Sequence, residues 1–100
     1  MFIYNVTVKV ESDIADDWLD WMQKKHIADV MDTGFFSSYK ICKLVLPYED
    51  DGITFAIQYS FKEMADLQQY QAKHAKGLQE EHTNRFKDKF VAFRTVLELV

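Results

Sequence analysis

Along this chain the apolar residues change period from two to 3.6 and back, twice, and that order leaves few folds open. Phe2, Tyr4, Val6, Val8 and Val10 alternate with Ile3, Asn5, Thr7 and Lys9, so Phe2 to Val10 reads as a half-buried strand. Ala15, Trp18, Leu19, Met22, His26 and Val30 then share one helical stripe, which predicts a helix over about residues 13 to 32. Ser12 or Asp13 is placed to cap its start, Asp16 and Asp17 suit the first turn of its dipole, and Gly34 is placed to end it. Lys25 and Asp29 fall at the edge of the stripe.

Phe35 to Leu46 reads as a second strand, Pro47 to Gly52 as a turn, and Ile53 to Phe61 as a third strand forming a hairpin with the second. Ser60 and Glu63 have capping-box spacing and open a second helix that runs to about Phe86. Its inward stripe is Met64, Leu67, Gln71, His74, Ala75, Leu78 and His82, with Arg85 or Phe86 at the rim. Gly77 in mid-helix costs about 1 kcal/mol relative to alanine, which suggests a close contact or a bend. Phe90 to Leu99 is the last strand, with Val91, Phe93, Thr95, Leu97 and Leu99 sharing a face.

The order β-α-β-β-α-β predicts one α+β domain over 1–100, ferredoxin-like, with two helices on one face of a four-stranded antiparallel sheet. The other sheet face is expected to carry Ile3, Asn5, Thr7, Cys42, Leu44, Thr54, Ala56, Gln58, Ala92, Arg94 and Val96. A face that apolar predicts a partner, and a second copy is the economical one, giving a homodimeric α+β barrel. Arg94 would then be a buried cation bridged to Glu98 or to the other chain.

Composition narrows the function classes. Nearly half of the residues are apolar and 15% are aromatic, enough for a core without metal or disulfide. Cys42 is the single cysteine, which fits a reducing cytoplasm. The net charge of −4 argues against a nucleic-acid partner. No apolar run is long enough for a membrane span, and the chain starts in a strand pattern rather than a leader peptide. No metal site is predicted: His74 and His82 lie about 12 Å apart along a helix, too far to share a zinc ion. No serine elbow or glycine-rich phosphate loop is present, so no cofactor is expected.

What remains is the layer between helices and sheet. His26 reads either as a core-edge histidine with one satisfied hydrogen bond or as a pocket histidine that exchanges a proton. Tyr4, Trp18, Met22, Tyr59, Gln71 and His74 point into the same layer and are the candidate ligand-binding residues. Their alternative role is to satisfy one another as buried polar groups or to fill the core.

YNVTV at the start, the W-x-x-W-M-x-x-x-H-I pattern from Trp18, T-G-F-F from Thr33 and F-x-x-x-F-R-T from Phe90 resemble an uncharacterised bacterial family of domains of unknown function. More broadly the chain is similar to the dimeric α+β barrel superfamily, which includes antibiotic-biosynthesis monooxygenases, muconolactone isomerases and stress-responsive barrel proteins. The resemblance implies a ferredoxin-like dimer and permits a cofactor-free oxygenase or isomerase with His26 as general base. Two positions depart from the family pattern. Ala28 stands where proline is usual, which lets the first helix continue past His26, and Lys87 stands where glycine is usual. Three readings follow: a binder of a small, partly apolar molecule, an enzyme acting on one, and an interaction domain with no ligand.

Overall fold

A computed structural model describes residues 1–100. Strands β1 (Phe2–Val10), β2 (Ser38–Lys43), β3 (Ile53–Phe61) and β4 (Phe90–Glu98) form one sheet in the order β2-β3-β1-β4, every neighbouring pair antiparallel. Helix α1 follows a 3₁₀ turn at Ser12–Ile14 and runs through Ala15–Trp21, a π turn at Met22–His26, and Ile27–Asp32. Helix α2 runs through Met64–Tyr70, a π turn at Gln71–Ala75, and Lys76–Arg85. This is the expected β-α-β-β-α-β architecture, with both helices on one sheet face. No helix is long and apolar enough to cross a membrane.

Strand alternation decides which residues meet the helices. Tyr4, Val8 and Val10 of β1 and Phe55, Ile57, Tyr59 and Phe61 of β3 are buried beneath them. Trp18 is wholly buried and stacks on Phe55 with ring centroids 4.9 Å apart. At the other end Phe36 lies 4.9 Å from Tyr70 and 5.2 Å from Tyr59. Aromatic pairs of this kind add about 0.5–1.5 kcal/mol each beyond the area they bury.

The boundaries differ from the sequence expectation in small ways. β2 is shorter: its register with β3 runs from Ser38 to Lys43, with one further backbone bond on each side, from the Ser37 N–H to the Ser60 carbonyl and from the Leu44 N–H to the Thr54 carbonyl. No side chain caps α1, whose entry is the 3₁₀ turn. The cap of α2 is Glu63, whose backbone N–H donates to Asp66 at 3.3 Å, so the capping pair lies three residues beyond the Ser60–Glu63 pair. Gly34 does end α1, with φ of 84° and its N–H on the Met31 carbonyl at 3.1 Å. Gly77 has no close neighbour: a Cβ there would meet nothing within 4 Å. Gly52 is where bulk is forbidden, since a Cβ would lie 2.8 Å from the Val10 carbonyl oxygen.

The last strand is turned over relative to the sequence expectation. Val8 pairs with Ala92, Val6 with Arg94 and Tyr4 with Val96, so Phe90, Ala92, Arg94, Val96 and Glu98 face the helices. Val91, Phe93, Thr95 and Leu97 face the open side, in place of the Ala92, Arg94 and Val96 expected there. The more apolar stripe of β4 therefore points away from the core of its own chain. Phe90 anchors this register by packing edge-on against His82, ring centroids 4.3 Å apart.

Candidate functional site

The two π turns shape the layer between helices and sheet. A π turn takes one more residue than an α turn, so core positions on either side lie five apart. In α1 the buried residues that flank the turn are Met22 and Ile27; in α2 they are Tyr70 and Ala75. Ile27 takes the core position that an uninterrupted helix gives to His26. His26 is displaced to the seam between the helices, 5.3 Å from the Trp21 ring and 5.7 Å from His82 by centroid. Tyr70 likewise points inward in place of Gln71, which is exposed.

At this seam a small cavity of about 30 Å³ lies between His26, Tyr4, Tyr59, Tyr70, Gln79 and Arg94, with Met22 among its apolar walls. It has room for about one water molecule. Of the residues expected at a pocket, His26, Tyr4, Met22 and Tyr59 are brought together here. Trp18 is instead packed solid in the core. His74 lies away from the cavity, against Phe35 at 5.8 Å. Gln71 faces away, and Gln79, two turns on, supplies the amide.

Tyr70, Gln79 and Arg94 are the lining residues that sequence reasoning missed. Arg94 was expected as a buried cation at the open face, bridged to Glu98 or to another chain. It is exposed, on the helix side of β4, and makes no ion pair. The other arginine, Arg85, holds Asp17 at 3.1 Å. Only the register of β4 could have revealed Arg94.

Burial sets the protonation of the site. The Nδ1 of His26 is buried and has no hydrogen-bond partner. Desolvation lowers the His26 pKa, against the upward pull of the Glu81 and Asp29 carboxylates, so a neutral ring is favoured. Asp29 itself is held by Lys25 one turn away. His82 accepts the indole N–H of Trp18 at its Nε2, 2.8 Å away, and burial lowers its pKa to about 4, helped by His26 and Arg94. Burial pushes the hydroxyls of Tyr59 and Tyr70 well up. It raises that of Tyr4 too, with Arg94 beside it pulling the other way. The site therefore holds neutral hydrogen-bonding groups and one permanent cation.

The opposite face of the sheet is also concave. A hollow of about 720 Å³ runs over Thr7, Cys42, Leu44, Ala56, Val91 and Phe93. Val91 and Phe93 are 68% and 61% exposed, too much apolar surface on one sheet face to stand alone in water.

The profile of a family described as a domain of unknown function (DUF4286) matches residues 1–100. No curated protein matches the chain. Among solved structures it is similar to a dimeric ferredoxin-like protein from an uncultured marine organism, at 13% identity and TM-score 0.70, covering 99% of this chain and 96% of that one. It is similar to a hydroxynitrile lyase from Passiflora edulis, at 14% identity and TM-score 0.62, covering 99% and 95%. It is similar also to SnoaB, a cofactor-independent oxygenase from Streptomyces nogalater, at 8% identity and TM-score 0.64, covering 98% and 92%. At these identities the likeness is one of fold.

Proposed function

The chain belongs to the DUF4286 family of domains of unknown function, and from that premise we propose that it is a cytoplasmic homodimer that binds a small, partly apolar molecule at the mouth of the cavity beside His26. The observation that carries the binding reading is the buried, unpartnered Nδ1 of His26 in a cavity shared with three tyrosines. Buried polar groups are normally paired, and an unpaired one at a cavity wall suits a ligand or a water held in its place. Tyr4, Tyr59 and Tyr70 would position the ligand, with Met22 as apolar wall.

Dimerisation is supported by the apolar open face, and by a fold relative described as dimeric. A second copy, sheet on sheet, would cover Val91, Phe93 and Leu97.

A second reading makes the protein an enzyme with His26 as general base, favoured by the lowered pKa that keeps the ring unprotonated near neutral pH. His26 would take a proton from an acidic C–H or O–H of the ligand, and Glu81 and Asp29 would stabilise the imidazolium. A thermal-shift screen of the purified protein against a metabolite panel tests both. A stabilising ligand lost in His26→Ala, with folding intact, supports binding. Turnover of that ligand, lost in the same variant, supports catalysis. No hit in the wild-type protein, with the cavity occupied only by water, leaves the dimer as the function.

A further inference from the structure

Resting on the pocket reading above, we propose that the ligand is a small organic carboxylate and that Arg94 selects it. Three observations meet at this residue. The guanidinium stands on the helix side of β4, opposite Val6 and next to the cavity. It has no carboxylate partner in a chain that carries four more acidic than basic side chains, whereas the other arginine, Arg85, pairs with Asp17. The rest of the polar lining is neutral, made of tyrosine hydroxyls, an imidazole and the Gln79 amide, so no fixed anion competes within the cavity.

The geometry also limits how the ligand sits. β4 is an edge strand, and Val96 and Glu98 beyond Arg94 face the helix side without being covered. The cavity has room for about one water molecule, so a carboxylate reaches it with one oxygen and the body of the ligand stays outside. That oxygen takes the place of a water between Arg94 and the tyrosines, the rest of the carboxylate lies against the exposed guanidinium, and the body rests along the uncovered end of β4 over Val96. The planar fork of arginine matches a carboxylate with two parallel hydrogen bonds, which lysine cannot reproduce. Glu98 lies two residues along the same face and sets a bound on the ligand: a second negative charge on its body would be repelled.

The test uses benzoate and its neutral isostere benzamide, titrated into the whole protein while amide and imidazole resonances are followed by NMR. Benzoate is expected to bind about tenfold more tightly than benzamide, moving resonances of His26, Tyr70 and Arg94, as a charge-assisted pair should. Arg94→Gln should bring benzoate down to the level of benzamide and leave benzamide unchanged. Arg94→Lys should keep part of the preference. Arg94 is exposed, so these variants should keep the wild-type fold, which the amide spectrum checks. Equal binding of the two probes to the wild type, or an undiminished preference in Arg94→Gln, overturns the role of Arg94 and leaves the pocket standing. If neither probe moves the cavity resonances, the pocket reading falls with it.

Discussion

The indole N–H of Trp18 donates to Nε2 of His82 across the two helices, 2.8 Å apart and buried from water. The bond ties α1 to α2 and fixes His82 as an acceptor at that nitrogen, so a neutral ring carries its proton on Nδ1. His82 in turn packs against Phe90 and so helps to set the register of β4.

Removing either partner leaves the other buried and unpaired. Trp18→Phe and His82→Phe are each expected to lower stability by about 1–3 kcal/mol for the stranded group, plus a packing loss for the smaller ring at residue 18. The double variant should cost less than the sum, because no polar group is then left unsatisfied. Denaturant unfolding of the four proteins measures this; a strictly additive cycle would remove the bond from the account.

Acid should weaken the fold through the same histidine. The folded pKa of His82, about 4, lies below its ordinary 6.5, so between these values the unfolded chain binds more protons. Stability contributed by the neutral ring is complete above about pH 6.5 and is lost as pH falls towards 4. His26 shifts in the same direction and adds to the slope. Melting temperature followed from pH 7.5 to 4.5 should fall, and His82→Phe should flatten the fall. An equal slope in wild type and variant would place the acid sensitivity elsewhere.

Two glycines should answer oppositely to alanine. Gly77→Ala should stabilise by up to about 1 kcal/mol, since the helical site is open and glycine is the poorer helix former. Gly52→Ala should destabilise by more than about 1 kcal/mol, because φ is 156° and the new methyl would meet the Val10 carbonyl oxygen at 2.8 Å. Thermal melts of both variants give the comparison, and two shifts of the same sign would contradict it.

The open sheet face offers a test of assembly. Phe93→Asp places a charge on the proposed interface without touching the core of its own chain. Sedimentation should show a dimer for the wild type and a folded monomer for the variant. A monomeric wild type at tens of micromolar would leave the apolar face to some other partner.

Much of the architecture was legible in the residues. The alternation of Phe2 to Val10 and of Ile53 to Phe61 placed β1 and β3 to the residue, because a strand buried on one face shows its period directly. The Trp18–Met22–Val30 stripe gave α1, and Ala28 let it run past His26 to Asp32 as expected. His26, Tyr4, Met22 and Tyr59 were named together and do line one cavity. Gln71 and His74 were misplaced with Tyr70 and Gln79 overlooked, because a wheel of constant pitch cannot show a π turn.

The sequence by itself determined the order of elements, the composition of the core and the presence of an uncovered apolar surface, since all three follow from period and hydropathy along the chain. Tertiary structure alone decided where Arg94 and His26 point. The pleat of β4 admits two settings that differ by turning the strand over, and both stripes carry apolar residues, one for the chain's own helices and one for its open face. Packing of Phe90 on His82 selects the setting that turns Arg94 towards the helices. The extra residue in the π turn of α1 gives the core position to Ile27 and moves His26 to the seam. Pairing register and helical pitch are fixed by contacts between distant segments, and those contacts brought the cation and the imidazole to one cavity.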